Sequence, residues 1–175
     1  NLIGDIDVCI SGQCFSGGSR YRGDVYRIDF RARLNEIKMQ LAFAGTTDLT
    51  VAIHRQEADG TYERFVPDVV LLDVPGVVDP ITGLPVLHFY TTGVLDPPVT
   101  LAPGFNYAIG FAWGSRTVTY TLDAQPYPVP FEVGQVEGGV AVNFPTPPPD
   151  PLVPETFPEF LIFRTGAYTM QLCFE

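Results

Sequence analysis

Hydrophobic and polar residues alternate along the chain, most regularly over residues 25–34, 36–44, 105–113 and 168–174. Alternation with a period of two is the pattern of a β-strand that buries one face and exposes the other. The residues that this parity predicts to be buried are Tyr26, Ile28, Phe30, Met39, Leu41, Phe43, Ile109, Phe111, Met170 and Leu172. The residues that it predicts to face solvent are Arg27, Arg31, Arg33, Lys38 and Gln40.

Shorter apolar runs separated by turn residues lie between these segments. Residues 58–61 contain Asp-Gly, which supplies the positive φ of a hairpin turn, and Pro75-Gly76 ends an apolar run over 69–74. The chain has 17 Gly and 17 Pro, and apolar residues do not recur at helical spacing. We therefore predict an all-β fold, with one domain over residues 1–175. It should be a single antiparallel β-sandwich, jelly-roll-like, with about ten strands and little helix.

A proline-rich segment occupies residues 145–158 and contains seven prolines. Proline donates no ladder hydrogen bond, so this segment is predicted to be an extended surface loop outside the sheet interiors. We interpret it as a long crossover that Leu152, Val153 and Phe157 anchor to the sandwich. A docking site for a partner that recognises proline-rich chains is the alternative.

The formal net charge is −10, and Lys38 is the one lysine. Nucleic-acid binding requires a positive surface, so this composition argues against it, and no apolar run predicts a membrane-spanning helix. Six of the ten basic residues lie close together: Arg20, Arg22, Arg27, Arg31, Arg33 and Lys38. We interpret them as solvent-facing residues that protect a sheet edge and form ion pairs. The alternative is a basic stripe that contacts an acidic neighbour, such as a second copy of the chain.

The three cysteines indicate an oxidising compartment if two of them pair. Cys9 and Cys14 flank a predicted turn, so a disulfide between them is expected, with Cys173 unpaired. If the terminal strands are neighbours, Cys9–Cys173 is the alternative bridge. The chain starts at Asn1 with no visible signal peptide, as a processed protein or an excised fragment would. We expect an extracellular or cell-surface location.

Residues for catalysis are scarce, and we predict that the protein is not an enzyme. His54 and His88 are the two histidines, parity puts His54 on a solvent face, and no G-x-S-x-G motif occurs. A pair of carboxylates for glycoside hydrolysis is compatible with the composition, but no residue indicates a raised pKa. No cofactor and no catalytic residue is predicted.

Calcium is the metal that the composition fits best, because aspartates recur at predicted strand ends and turns. They are Asp5, Asp7, Asp24, Asp48, Asp73, Asp79 and Asp123. Aspartate is also a common turn residue, so solvated turn aspartates are the simpler interpretation. Arg22-Gly23-Asp24 matches the tripeptide that integrins bind, and its position before a strand also fits an ordinary turn.

Residues 34–37 through 61–62, followed by Leu101-Ala102-Pro103-Gly104-Phe105-Asn106-Tyr107-Ala108-Ile109, resemble β-sandwich modules of secreted bacterial proteins. These accessory modules are jelly-roll or galactose-binding-like. The resemblance covers about residues 25–113 and implies the fold class and an extracellular setting, without a site. A weaker likeness is to the jelly-roll subunits of extracellular filaments, whose sheet edges accept a strand from a neighbour.

Apolar strands are predicted at both ends of the chain. Their inward residues are Ile6, Val8 and Ile10 at the start and Tyr168, Met170 and Leu172 at the end. Such strands can complete the sheet of another copy, and pairing within their own domain is the alternative.

The predicted function is that of a non-enzymatic structural or adhesive module of the cell surface. It would act through surface and strand-edge contacts with protein partners, copies of itself included, as a filament subunit does. The alternative is a carbohydrate-binding module of a secreted protein. Exposed aromatic rings distinguish the two, since sugars stack on them. Trp113 has the parity of a buried residue, whereas Tyr21, Tyr90 and Tyr127 remain candidate platforms.

Overall fold

A computed structural model describes residues 14–143, 156–157 and 162–175, with the backbone alone for 156, 157 and 162. Within these residues the chain forms strands and no helix. The strands are β1 (Cys14–Gly17), β2 (Arg20–Ile28), β3 (Ala32–Ala42), β4 (Thr46–Gln56), β5 (Tyr62–Arg64), β6 (Val69–Pro75), β7 (His88–Thr91), β8 (Val99–Leu101), β9 (Asn106–Trp113), β10 (Val118–Asp123), β11 (Val129–Phe131), β12 (Gly134–Asn143), β13 (Thr156–Phe157), β14 (Ile162–Phe163), β15 (Ala167–Tyr168) and β16 (Met170–Phe174).

Two antiparallel sheets pack face to face. Sheet A runs in the order β1-β10-β3-β16, with β7 and β8 also paired to β3 and β15 paired to β10. Sheet B runs in the order β11-β12-β2-β9-β4-β5-β13, with β6 paired to β4 and β14 paired to β12. The predicted all-β sandwich is confirmed. The described residues form sixteen strands rather than about ten, and three of these strands have only two residues.

The main core lies between the two sheets, and most of the predicted parity is confirmed there. The residues that are buried as predicted are Tyr26, Ile28, Met39, Leu41, Phe43, Ile109 and Phe111. Arg27, Arg31 and Arg33 are exposed as predicted. Four residues are half-buried, so the prediction holds for them only in part: Met170, Leu172, Lys38 and Gln40.

Among the predicted core residues, Phe30 is the one for which the prediction is wrong, because it is 68% exposed. The prediction treated residues 25–34 as one strand, whereas the chain reverses between β2 and β3. The amide N–H groups of Asp29 and Phe30 both donate to Val133 O, at 2.9 and 3.1 Å. These hydrogen bonds hold the reversal, and Phe30 lies in it rather than on a strand face.

His54 was predicted to face solvent, and this prediction is also wrong. Its side chain lies on the opposite face of β4 from Val51 and Ile53, as parity requires, but it is fully buried. The outer face of sheet B carries a second buried cluster, which contains Tyr21, Val25, Ala52, Tyr62, Ala108, Ala112 and Val140. Sheet B is therefore buried on both faces in this region.

The C-terminal strands pair within their own domain. Tyr168 of β15 pairs with Leu122 of β10, and Met170 and Leu172 of β16 pair with Met39 and Ile37 of β3. The predicted N-terminal assembly residues Ile6, Val8 and Ile10 lie outside the described residues.

Two further predictions fall partly outside the described residues. Of the proline-rich segment, only Thr156–Phe157 is described, and this strand pairs with β5 at the end of sheet B. Cys9 is not described, so the Cys9–Cys14 disulfide stays a prediction. Cys173 carries a free thiol, which argues against the alternative Cys9–Cys173 bridge.

Candidate functional site

A cleft with a volume of about 630 Å³ opens beside β15 and β16. It lies where the C-terminal segment changes its pairing partner, from β10 along β15 to β3 along β16, and Asp24 and Tyr26 of β2 are among its lining residues. The cleft is lined by Asp24, Tyr26, Gln40, Phe89, Thr121, Leu122, Asp123, Tyr127, Phe131, Val136, Ala167, Tyr168, Thr169, Met170, Gln171 and Leu172. Carboxyl, amide and hydroxyl groups therefore share this cleft with aromatic rings.

Asp24 lies at the base of the cleft and is only 2% exposed. The N–H of Tyr168 donates to Asp24 Oδ1 at 2.7 Å, and the Tyr26 hydroxyl donates to Oδ2 at 3.3 Å. Burial raises the pKa of Asp24 well above its usual range; the charge of Asp123 adds to this shift, and the two hydrogen bonds oppose it. The sequence prediction placed Asp24 at a strand end. This was wrong, because β2 begins at Arg20 and Asp24 lies in its middle.

Tyr127 lies at the mouth of the cleft and is half-buried. Its hydroxyl lies 3.3 Å from Asp123 Oδ2, to which Gln125 Nε2 donates at 2.7 Å. Tyr21 and Tyr90, the other tyrosines that were candidate platforms, are buried. Trp113 is buried, as its parity predicts. Of the aromatic residues that were weighed as sugar platforms, Tyr127 is the one that is not buried.

A short polar ladder forms the wall of the cleft next to sheet A. The Thr121 hydroxyl donates to Gln40 Oε1 at 3.0 Å and lies 2.7 Å from the Thr169 hydroxyl. Gln171 is exposed at the same wall. These amides and hydroxyls can each donate and accept, which suits a neutral polar ligand.

Arg20 and Arg22 precede Asp24 on the same face of β2. Both were predicted to face solvent. Arg20 is half-buried, and the prediction for Arg22 is wrong, because this residue is only 4% exposed. Arg22 Nη1 donates to Tyr21 O at 2.8 Å and to Val142 O at 2.9 Å. Since Arg22 and Asp24 are both buried within β2, the Arg-Gly-Asp tripeptide is not presented as an integrin ligand would be.

A second cavity, of about 460 Å³, lies on the other flank of the sandwich. It reaches between the sheets to Ile37, Val51 and Ile53, and residues 65–69 and 95–100, which are mostly loop, form the rest of its lining. Asp96 is the one charged residue along its wall. This apolar cavity was not predicted, because it is formed by two loops that approach each other from different sheets.

The predicted aspartates do not form a metal site in the part of the chain that the structure describes. No group of three or more His, Cys, Asp or Glu residues is placed there to bind a metal ion. Asp48 Oδ1 accepts the N–H of Asp73 at 2.8 Å. Asp79 Oδ1 accepts the N–H groups of Ile81 and Thr82 at 2.8 and 2.7 Å, which is a turn role. Asp5 and Asp7 lie outside the described residues.

Comparison of the chain with models of known families, with curated proteins and with solved structures gave no match. Over the described residues, no helix has the length and apolar character needed to cross a membrane.

Proposed function

We propose that this protein is a non-enzymatic, extracellular carbohydrate-binding module whose ligand lies in the cleft beside β15 and β16. The observation that carries the proposal is the combination of the half-exposed Tyr127 ring with a wall of amide and hydroxyl groups. Sugars present both apolar ring faces and hydroxyl groups, and protein sites match them with aromatic rings and with groups that donate and accept.

The volume of the cleft supports a saccharide ligand. About 630 Å³ lies within the usual range for small-molecule sites. Gln40, Thr121, Thr169 and Gln171 line one wall, and Tyr127 lies at the mouth. A sugar ring that stacks on Tyr127 could direct its hydroxyl groups towards this wall.

The state of Asp24 supports binding rather than hydrolysis. Glycoside hydrolysis normally requires two carboxyl groups that flank the scissile bond. Both oxygens of Asp24 accept hydrogen bonds from within the protein, and the residue is almost fully buried. We assign Asp24 the role of holding Tyr168 and Tyr26 in place at the base of the cleft.

Titration with neutral β-linked tetrasaccharides of glucose, mannose and xylose, followed by NMR, tests the proposal. We expect saturable shifts of Thr169 and Gln171 amides with at least one of them, and no sugar cleavage over the same period. Tyr127→Ala should weaken binding by roughly tenfold. Phe105→Ala, which removes a partly exposed ring outside the cleft, is the matched control.

Two results would contradict this proposal. If none of the three sugars shifts the cleft residues, or if Phe105→Ala weakens binding as much as Tyr127→Ala, the cleft is not a saccharide site. Release of reducing ends from the tetrasaccharides would contradict only the assignment of the protein as non-enzymatic.

Strand β6 supports a second candidate function, which is association between copies of the chain. This strand pairs with β4, and no other described strand pairs with its second edge. Val70 and Leu72 project from it into solvent, and Leu72 is 69% exposed. An edge strand with exposed apolar side chains is suited to pairing with another chain.

Sedimentation of the chain over a wide concentration range tests this association. We expect oligomers that Leu72→Lys reduces, while Val94→Lys, which also replaces an exposed apolar residue, leaves them unchanged. Removal of residues 1–10 is the second variant, and loss of oligomers there would favour exchange of the N-terminal strand instead. Monomers at every concentration would exclude both forms of assembly.

A further inference from the structure

We propose that Arg20 and Arg22, together with Asn143, form a binding site for an oxyanion, namely the carboxylate or sulfate group of an acidic ligand. The site lies on β2 and at the end of β12, next to the cleft but separate from it. The inference does not depend on the saccharide proposed for the cleft.

Arg20 and Arg22 differ from most arginines of the chain in having no carboxylate partner among the residues that the structure describes. Ion pairs join Arg27 to Asp29, Arg33 to Glu175, Arg55 to Glu57, Arg64 to Asp68 and Arg164 to Glu137. Among the described residues, neither Arg20 nor Arg22 forms an ion pair with any acidic group. Arg31 and Arg116 also lack one, but both are exposed to water.

Burial makes the missing partner costly for Arg22. A buried charge is normally paired, because water no longer stabilises it. Arg22 is 4% exposed, and its guanidinium lies 5.1 Å from the centre of the Tyr120 ring. Asp24 lies on the same face of β2 but forms no ion pair with Arg22, and burial raises the pKa of its carboxyl well above the usual range. The positive charge of Arg22 thus lacks a counter-ion within the described chain.

The hydrogen bonds of the two guanidinium groups leave donors for a ligand. Both meet on one neutral acceptor, Asn143 Oδ1, which lies 2.6 Å from Arg20 Nη1 and 2.6 Å from Arg22 Nη2. Arg20 Nε and Arg22 Nε are both buried without a described acceptor. Asn143 is exposed, so solvent reaches the site from this side.

Gly17 allows Arg20 to lie flat beside β1. A Cβ atom built at Gly17 would collide with Nε and Nη2 of Arg20. Any larger residue at position 17 would therefore displace the Arg20 guanidinium from its position beside Arg22. Two planar guanidinium groups held side by side can donate several hydrogen bonds to the oxygens of one carboxylate or sulfate.

Titration of the full chain with sodium sulfate and, separately, with sodium acetate tests the site, at constant ionic strength set with sodium chloride. The readout is the side-chain Nε–Hε NMR signals of the arginines. We expect saturable shifts for Arg20 and Arg22, and the tighter of the two anions identifies the ligand group. Arg20→Gln should weaken binding by roughly tenfold or more, since hydrogen bonds to charged groups are involved.

Two further variants make the outcome decisive. Gly17→Ala should weaken anion binding while both arginines remain, and Arg31→Gln, which removes an equal charge from the surface, should leave it unchanged. The proposal is overturned if neither anion shifts the Arg22 signal more than chloride does. It is also overturned if Arg31→Gln weakens binding as much as Arg20→Gln, because the effect would then be one of general charge.

Discussion

The two flanks of this sandwich enclose cavities of opposite chemistry. The cleft beside β15 and β16 contains the buried carboxyl of Asp24 and a ladder of hydroxyl and amide groups. The cavity on the other flank is lined by Ile37, Val51, Ile53 and proline-bordered loops, with one charged residue. Both cavities reach residues that belong to the same core. Within one fold, the residues at each flank decide whether the cavity there is polar or apolar.

The difference arises from the inner faces of two strands in sheet B. On β2 this face carries Arg22, Asp24 and Tyr26, and all three form hydrogen bonds within the protein, although Arg22 Nε has no described acceptor. On β4 the corresponding face carries Val51 and Ile53, which pack against apolar residues. Polar residues are tolerated near the interior only where partners are present.

The largest effect should come from placing a charge in the apolar flank. Val51→Asp would bury a carboxylate without a partner, and we expect a loss of about 3–5 kcal/mol in the free energy of unfolding at neutral pH. Urea denaturation measures it. Asp24→Asn is the matched control in the polar flank and should cost far less. Equal losses in the two variants would show that the flanks do not differ.

The next largest expected effect is a change of folding stability with pH. Because the pKa of Asp24 is raised in the folded state, the folded protein holds a proton that the unfolded chain releases as pH rises above about 4. The stability that this group contributes is therefore fully present at low pH and is lost as pH rises through the folded pKa. The Asp24→Asn variant cannot lose stability in this way. The difference between its free energy of unfolding and that of the native chain should therefore increase from pH 4 to pH 7. Unfolding curves at both pH values test this, and an unchanged difference would contradict the assignment.

The smallest expected effect is a difference in stability between variants of two threonines. Thr121→Val removes the hydroxyl that joins Gln40 and Thr169 in the cleft, and we expect a loss of about 1 kcal/mol. Thr100→Val, at the rim of the apolar cavity, should be close to neutral. Thermal or urea unfolding of the pair measures the difference. A larger loss for Thr100→Val would mean that the apolar rim depends on hydrogen bonds.

Strand parity predicted the sandwich and most of its main core, because successive residues of a strand lie on opposite faces. It failed at Phe30, where hydrogen bonds from Asp29 and Phe30 to Val133 form a reversal without Gly or Pro. It failed at His54 because periodicity identifies a face but does not show whether another part of the chain covers that face.

The candidate site was harder to predict than the fold. Extending the alternation of Tyr26 and Ile28 backwards would have placed Asp24, Arg22 and Arg20 on the same face, and this signal was available in the sequence. The partners of these residues were not available. Tyr168 and Asn143 lie more than a hundred positions away, and sheet topology alone brings them to β2.

The loop around Asp79 has a consequence for how freely the sequence can vary. Its shape is fixed locally, by hydrogen bonds from Ile81 and Thr82 to the Asp79 carboxylate and by a bridge between Val78 and Pro85. Ile81 itself is 92% exposed. Almost any side chain should therefore be accepted at position 81, including a cysteine that carries a fluorescent label, whereas replacing Asp79 would release the loop. This tip is the natural place to attach a probe or a surface without disturbing either flank.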